Sequence, residues 1–330
     1  MLIYRIITFI VGAIMCFSPL ERPVITEPET KNYDTGCYFL PDYGHPLIAA
    51  HRTGKGLAPE NTLMAIQSCV EDMDRDIDIF EMDLQLTKDK KLVLYHSLYL
   101  DEKSDAEEYF GKKNITVFSK TYAELRNLNM GEKFKSGGKT PYAGLRGDDI
   151  PDNLRIVLAE DAFDYIEEVG GGKYRYIVEI KYPSPWMQTM IKELYRMLSE
   201  RDMLDRVIVG SYWNDVSHYI DNHYKGKLMR SANPFEIADF YGKFTRNEKL
   251  KKEKIKFMAL QMPYYEDDGK FYIGNLGKTE FMEYAHKYGI SVQYWTVNNA
   301  DDVKALTLGG ADVLMTDHPE RAFKALGYTD

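Results

Sequence analysis

From residue 46 onward, short apolar runs alternate with stretches of helical periodicity. The runs PLIAAHR (46–52), IDIFEMDLQL (77–86), LVLYH (92–96), YIVEIK (176–181) and RVIVGSY (206–212) read as strands, as do KLMRSA (227–232), FMALQM (257–262), SVQYWTV (291–297) and DVLMTD (312–317). Most are nearly continuous in apolar residues, which predicts strands covered on both faces. Segments between them, such as WMQTMIKELYRMLSERDM and TEFMEYAHKYG, place apolar residues on one face of a helix. Strand–helix alternation over this length predicts a parallel sheet with helical crossovers, and a closed TIM (β/α)8 barrel fits it best. Nine strand-like runs are one too many for that ring. The weakest are 227–232 and 257–262, and one of the nine is expected to lie outside it.

The alternation breaks at 97–150, where DEKSDAEEYFGKKNITVFSK and GEKFKSGGKTPYAGLRGDD are polar, charged and rich in glycine. An insertion after the third strand's carboxyl end predicts a cap over the barrel mouth; the plainer reading is a surface loop. The start of the chain has a different pattern. Arg5 precedes an apolar stretch from Ile6 to Phe17, too short for a comfortable membrane span. Residues 1–20 therefore read as a signal peptide or N-terminal anchor. Cys16 follows Met15, where a lipidation motif wants a small residue. Residues 21–44, rich in Pro, Glu and Thr, read as a tether, and 45–330 as the barrel domain. These segments predict an extracytoplasmic protein, periplasmic or secreted, or one tethered to a membrane by its N-terminus. Only Cys37 and Cys69 lie beyond residue 20, so no disulfide framework is expected. The net charge of -9 disfavours a nucleic-acid partner and leaves any anionic substrate to a local device.

That device is visible at the strand ends. The first run ends in His51-Arg52, the second carries Glu81 and Asp83, the third ends in His96, and the fourth carries Glu179 and Lys181. Residues i and i+2 of a strand share a face, so Glu81 pairs with Asp83 and Glu179 with Lys181. Barrel active sites sit at the carboxyl ends of strands. Clustered carboxylates repel one another unless a cation lies between them, and an oxygen-only set suits Mg2+ or Ca2+. Two histidines beside such an ion suit a general base and a general acid, and Arg52 and Lys181 suit phosphate oxygens. The set reads as metal-assisted displacement at phosphorus. A strand-end histidine alone is usually a structural residue, and a lone Glu-x-Asp is often only solvated. Four runs repeating the pattern in order carry the inference.

The motifs AHRTGKGLAPENT, FEMDLQLTKDKKLVLYHS, VEIK, QYWTVN and GADVLMTDHPERA together resemble the glycerophosphodiester phosphodiesterase family over residues 46–327. The resemblance implies a TIM barrel that hydrolyses glycerophosphodiesters to glycerol 3-phosphate and an alcohol with a divalent cation. By position it implies His51 and His96 as the catalytic acid/base pair and Glu81, Asp83 and Glu179 as metal ligands. Arg52 and Lys181 become phosphate contacts. Trp295 becomes an aromatic facing the glycerol, or else a barrel-core residue. Glu60 is a substrate-side candidate or orients another group. Asn61 or Thr62 can cap the following helix, and Thr316 and Asp317 the last one, with Pro319 in its first turn.

Two positions depart from the family pattern. Thr53 stands where glycine is usual and Ser97 where aspartate is usual. Two other readings stay open. A phospholipase C- or D-like enzyme on intact phospholipid or sphingolipid would need an apolar rim, for which the insertion offers scattered Tyr109, Phe110 and Phe118. A non-catalytic barrel that binds ligands would have lost a histidine or carboxylate, and none is lost.

Overall fold

The computed structural model describes residues 25–27, 39, 45–71, 73, 77–183, 185–266, 271–272 and 276–328. The expected signal or anchor segment (1–20) and most of the expected tether (21–44) lie outside the described residues. The strands are β1 (Leu47–Ala50), β2 (Ile79–Leu86), β3 (Leu92–Leu94), β4 (Arg175–Ile180), β5 (Val207–Gly210), β6 (Met229–Arg230), β7 (Ala259–Pro263), β8 (Tyr265–Glu266), β9 (Phe271–Tyr272), β10 (Ser291–Trp295) and β11 (Val313–Thr316). All nine runs identified by periodicity contain a strand. The helix Trp186–Glu200 shows why the intervening segments are helical. It buries Met187, Met190, Ile191, Leu194, Met197 and Leu198, a single face at helical spacing.

The chain divides into two compact units. The first comprises the described parts of Met1–Ala49, Ile208–Thr316 and Arg321–Asp330. Here β7 and β10 run parallel, from Ser291 opposite Ala259 to Trp295 opposite Pro263, and β10 runs parallel to β11. Leu47 N donates to Asp312 O at 2.8 Å, setting β1 beside β11. β5 pairs with β6, and a parallel bridge from Ser231 to Ala259 links β6 to β7. Two short pieces of the 21–44 segment are described, and each is hydrogen-bonded to this unit. Phe39 is fully buried and its carbonyl accepts from Ser291 Oγ at 3.2 Å, while Thr26 N donates to Thr279 Oγ1 at 3.2 Å.

The second unit comprises Ala50–Val207 and Asp317–Glu320. In it β2 and β4 are parallel, with Asp83 opposite Glu179. β3 is antiparallel to β2, with Leu84 opposite Leu94 and Leu86 opposite Leu92. This corrects the strand count. The run outside the parallel set is 92–96, not 227–232 or 257–262. The reason is the length of β2: Leu84 is opposite Ile180 of β4 on one edge and Leu94 of β3 on the other, so β3 folds back along the end of the β2 edge that faces away from β4. With β3 and the separate antiparallel pair β8–β9 set aside, eight parallel strands alternate with helices, the TIM (β/α)8 fold, and the insertion follows β3.

The insertion has a core of its own. Leu100, Ala106, Ile115, Val117, Leu125, Leu128 and Met130 pack with Val93 and Tyr95 of the β3 arm and with Ile156. Tyr95 Oη donates to the carbonyls of Tyr99 and Leu100 at 2.9 and 3.2 Å, tying the first turn of the insertion to that arm. Among the described residues, no helix is long and apolar enough to cross a membrane.

Candidate active site

The site begins where β1 ends. His51, Arg52 and Thr53 form one tight turn, in which Arg52 (φ 49), Thr53 (φ 64) and Gly54 (φ 107) are all left-handed. Positive φ is unusual for the two residues bearing a Cβ. Glycine is required next: a Cβ at position 54 would lie 2.6 Å from Cys69 Sγ, and one at position 56 would lie 2.4 Å from Asp317 O. Gly56 N instead donates to that carbonyl at 2.9 Å, so the turn is seated on residue 317. Seated there, Arg52 N donates to Glu81 Oε2 at 2.6 Å, and His51 Nδ1 lies 2.6 Å from Asp317 Oδ1.

Asp317 is the functional candidate that sequence reasoning missed. It is expected as a helix cap, yet the helix Pro319–Ala325 starts beyond it and its carboxylate faces His51 and Lys55 Nζ, the latter at 3.1 Å. Burial alone would raise the Asp317 pKa, but the His51 hydrogen bond and the His51 and Lys55 charges hold it far below the usual carboxylate range. An ionised carboxylate only accepts, so His51 Nδ1 carries the proton between them and Nε2 carries the lone pair. Burial, with Arg52 and Lys55 nearby, lowers the His51 pKa in spite of Asp317. A signal was present: Asp317 immediately follows the last strand as His51 follows the first, and ring closure makes those strands neighbours. Thr316, the other expected cap, donates from Oγ1 to Asn298 Oδ1 at 3.0 Å.

The PENT segment divides its work. Thr62 caps the next helix, accepting from Ala65 N at 3.2 Å. Asn61, with φ 57, does not cap; its Nδ2 donates to Asp83 Oδ2 at 2.8 Å. Glu60 accepts from Arg52 Nη1 at both oxygens, at 3.1 and 3.2 Å. It therefore holds the guanidinium in place.

β2 turns Glu81, Asp83 and Gln85 to one face, and the register with β4 sets Glu179 beside Asp83. One oxygen from each of Glu81, Asp83 and Glu179 lies within 4.8 Å of the others. That is the convergence expected of ligands to one cation bound at about 2.0–2.6 Å. Lys181 Nζ lies 3.0 Å from Glu179 Oε1 and 3.4 Å from Asp83 Oδ1. Asp83 stays well below the ordinary range despite burial, because Lys181, His96, Arg52 and the Asn61 hydrogen bond favour its charge. Burial, together with the Asp83 charge, pushes Glu81 well up, and burial pushes Glu179 up against the pull of Lys181. The triad thus resists carrying three charges by itself, and its all-oxygen donor set fits a hard divalent cation.

His96 arrives on the β3 arm, where Tyr95 N donates to Asp83 O at 2.9 Å. Gln85 Nε2 donates to Ser97 O at 2.8 Å and pins the chain just beyond the histidine. Burial and the Lys181 charge hold the His96 pKa well below its ordinary value, against the opposing pull of Asp83. Among the described residues, the buried atoms here without a hydrogen-bond partner include Arg52 Nε, His96 Nδ1 and Asp83 Oδ1. Trp295 belongs to the first unit, half-buried at the end of β10, edge to face with Tyr212 at 6.1 Å between ring centroids. The cluster described above is drawn from the second unit alone.

The model of the glycerophosphoryl diester phosphodiesterase family matches residues 51–321. A glycerophosphodiester phosphodiesterase of Caldanaerobacter subterraneus subsp. tengcongensis is 27% identical over 275 residues, covering 83% of this chain and 95% of the relative. Among solved structures, a glycerophosphoryl diester phosphodiesterase domain from Mycobacterium tuberculosis aligns with a TM-score of 0.63 at 18% identity, over 86% of this chain and 100% of that one. An Oleispira antarctica phosphodiesterase solved with the product sn-glycerol-3-phosphate aligns with a TM-score of 0.61 at 17% identity, over 86% of this chain and 97% of that one.

Proposed function

The chain belongs to the glycerophosphoryl diester phosphodiesterase family, and from that premise we propose that it hydrolyses glycerophosphodiesters to glycerol 3-phosphate and an alcohol, with two histidines and a divalent cation. One observation carries the reading. Three carboxylates converge within 4.8 Å beside Arg52 Nε and His96 Nδ1, both buried without hydrogen-bond partners. Glu81, Asp83 and Glu179 would hold Mg2+ or Ca2+, which when bound offsets charge on the phosphate oxygens.

Arg52, clamped by Glu60 at Nη1, offers Nε to a phosphate oxygen. With Glu60, Glu81, Asp83, Glu179 and Asp317 ionised against Arg52, Lys55, Lys103 and Lys181, the cluster is one charge negative. With a divalent ion held by Glu81, Asp83 and Glu179 the cluster would be one charge positive, and with a phosphodiester anion as well it would be neutral. His51, oriented by Asp317, accepts the proton of the nucleophile, and Asp317 stabilises the imidazolium that forms. His96 protonates the leaving alkoxide; the phosphodiester anion beside it raises its affinity for that proton. The nucleophile is either the glycerol 2-hydroxyl of the substrate, through a cyclic phosphate, or water. Trapping of the cyclic ester separates the two.

The test is release of glycerol 3-phosphate from glycerophosphocholine, -ethanolamine, -glycerol and -inositol, with and without chelator. Activity should vanish on exhaustive chelation and return with Mg2+ or Ca2+. Full activity after chelation, or turnover of intact phospholipid alone, would overturn the reading. The insertion is expected to bias headgroup choice. Replacing 97–150 by a short turn should change the ranking of the four substrates more than it lowers the melting temperature. An unchanged ranking would reduce the segment to a surface loop.

A further inference from the structure

The insertion reaches the cluster through one side chain. Lys103 lies just past its first turn, and its Nζ is 3.2 Å from Glu60 Oε2. The Lys103 side chain is 32% exposed, whereas Glu60 is 8% exposed and gives both oxygens to Arg52. Burial would raise the Glu60 pKa, but Arg52, Lys103 and Lys55 outweigh it, so Glu60 is a carboxylate shared among cations. The backbone of Lys103 is anchored on both sides: its N donates to Leu100 O at 3.2 Å, and its carbonyl accepts from Lys133 N at 3.3 Å. The contacts of Arg52 with Glu60, Glu81 and Asp83 come from the segments around β1 and β2, and among the described residues Lys103 alone brings the insertion into that network.

We propose that Lys103 is a positioning residue for Arg52, acting through Glu60. A buried carboxylate with two cationic partners divides its field between them. Remove Lys103, and the whole Glu60 charge falls on Arg52. The guanidinium is then drawn more tightly onto Glu60, and less of its positive field reaches the place where Nε, 3.9 Å from Asp83 Oδ2, makes no hydrogen bond. The insertion thereby sets how strongly the site holds a phosphate group, and not only which headgroup fits. This inference rests on the reading of Arg52 as a phosphate contact.

The experiment is a double-mutant cycle of Lys103→Met and Glu60→Gln, with Lys103→Arg as the conservative control. The readouts are kcat, KM and the calorimetric affinity for glycerol 3-phosphate with Mg2+ present. Lys103→Met should raise KM and weaken glycerol 3-phosphate binding by about fivefold, with kcat changed less, a size usual for coupled charged neighbours. Lys103→Arg should restore most of the loss. In the Glu60→Gln background the Lys103→Met effect should fall below about twofold, since the route is gone. Wild-type KM and product affinity in Lys103→Met would overturn the proposal. An equal loss in both backgrounds would also overturn it, because the lysine would then act on the ligand directly. If the wild-type chain binds glycerol 3-phosphate but cleaves none of the four diesters, the phosphodiesterase reading fails and the binding cycle still decides Lys103. If it binds no glycerol 3-phosphate, both fail.

Discussion

His51→Ala and His96→Ala should each lower kcat by about 10²- to 10⁴-fold with KM little altered, the usual contribution of one positioned acid or base. His51 lies in the turn after β1, whose Arg52 N donates to Glu81, and His96 on the β3 arm, where Tyr95 N donates to Asp83 O. A pair that moves protons in one step acts as a unit, so the double mutant should lose much less than the product of the single losses. A substrate with an activated leaving group needs no acid. It should partly rescue His96→Ala and leave His51→Ala unrescued, and the opposite pattern would exchange the two roles. The kcat/KM profile should be bell-shaped, because one imidazole must be neutral and the other charged. Its acid limb should lie below pH 6.5 in the free enzyme, since burial lowers both the His51 and the His96 pKa from that value. A His96→Ala enzyme with near-normal kcat would sink the assignment. Lys181, already tied to Glu179 and Asp83, would be the next candidate acid.

Asp317→Asn should be nearly as damaging, with a loss in kcat on the order of 10²-fold or more. In the proposed mechanism the carboxylate does two things for His51. It accepts the Nδ1 proton, which leaves the Nε2 lone pair for the nucleophile, and its charge stabilises the imidazolium. An asparagine can present its amide N–H to Nδ1 and select the wrong tautomer, and it carries no charge. The pH profile adds a readout that a fold defect would not move. Asp317 raises the proton affinity of His51 through its hydrogen bond and charge, so removing it lowers that pKa further. The limb of kcat/KM that His51 sets should therefore shift to lower pH in the mutant even as the plateau falls. Near-wild-type kcat with an unshifted limb would show that His51 takes its orientation from elsewhere.

Much of the candidate site was legible because a strand alternates its faces with a period of two. Glu81 with Asp83, and Glu179 with Lys181, needed only that rule to be placed on common faces, and the β2–β4 register then joined the pairs. His96 was found for an incomplete reason. The apolar run before it looks like another barrel strand, but it is the returning arm of a hairpin, closed where Thr87 N donates to Lys91 O at 2.9 Å and Lys90 has φ 63. Period and composition do not encode strand direction. The two-residue β6 looked expendable because its run is short and partly polar, yet it pairs in parallel with β5. Asn61 and Asp317 were hidden by their local setting. Each precedes a helix, where Asn and Asp are common caps, and local pattern cannot distinguish a cap from a side chain turned toward the cluster.

What the sequence determined by itself is local: which segments are strands or helices, which residues share a face, and so which chemistry the strand ends offer. Those properties follow from backbone geometry repeated every two or 3.6 residues, and a few neighbours suffice to express them. What only the tertiary structure decided is pairing at a distance. Asp317 meets His51 across 266 residues of chain, and Asn61 meets Asp83 across 22. Lys103 of the insertion meets Glu60 only after the insertion has packed its own core on Val93 and Tyr95. These partners are chosen by ring closure, by the reversal of β3 and by that packing. Each depends on where the rest of the chain has gone, and no local periodicity records it.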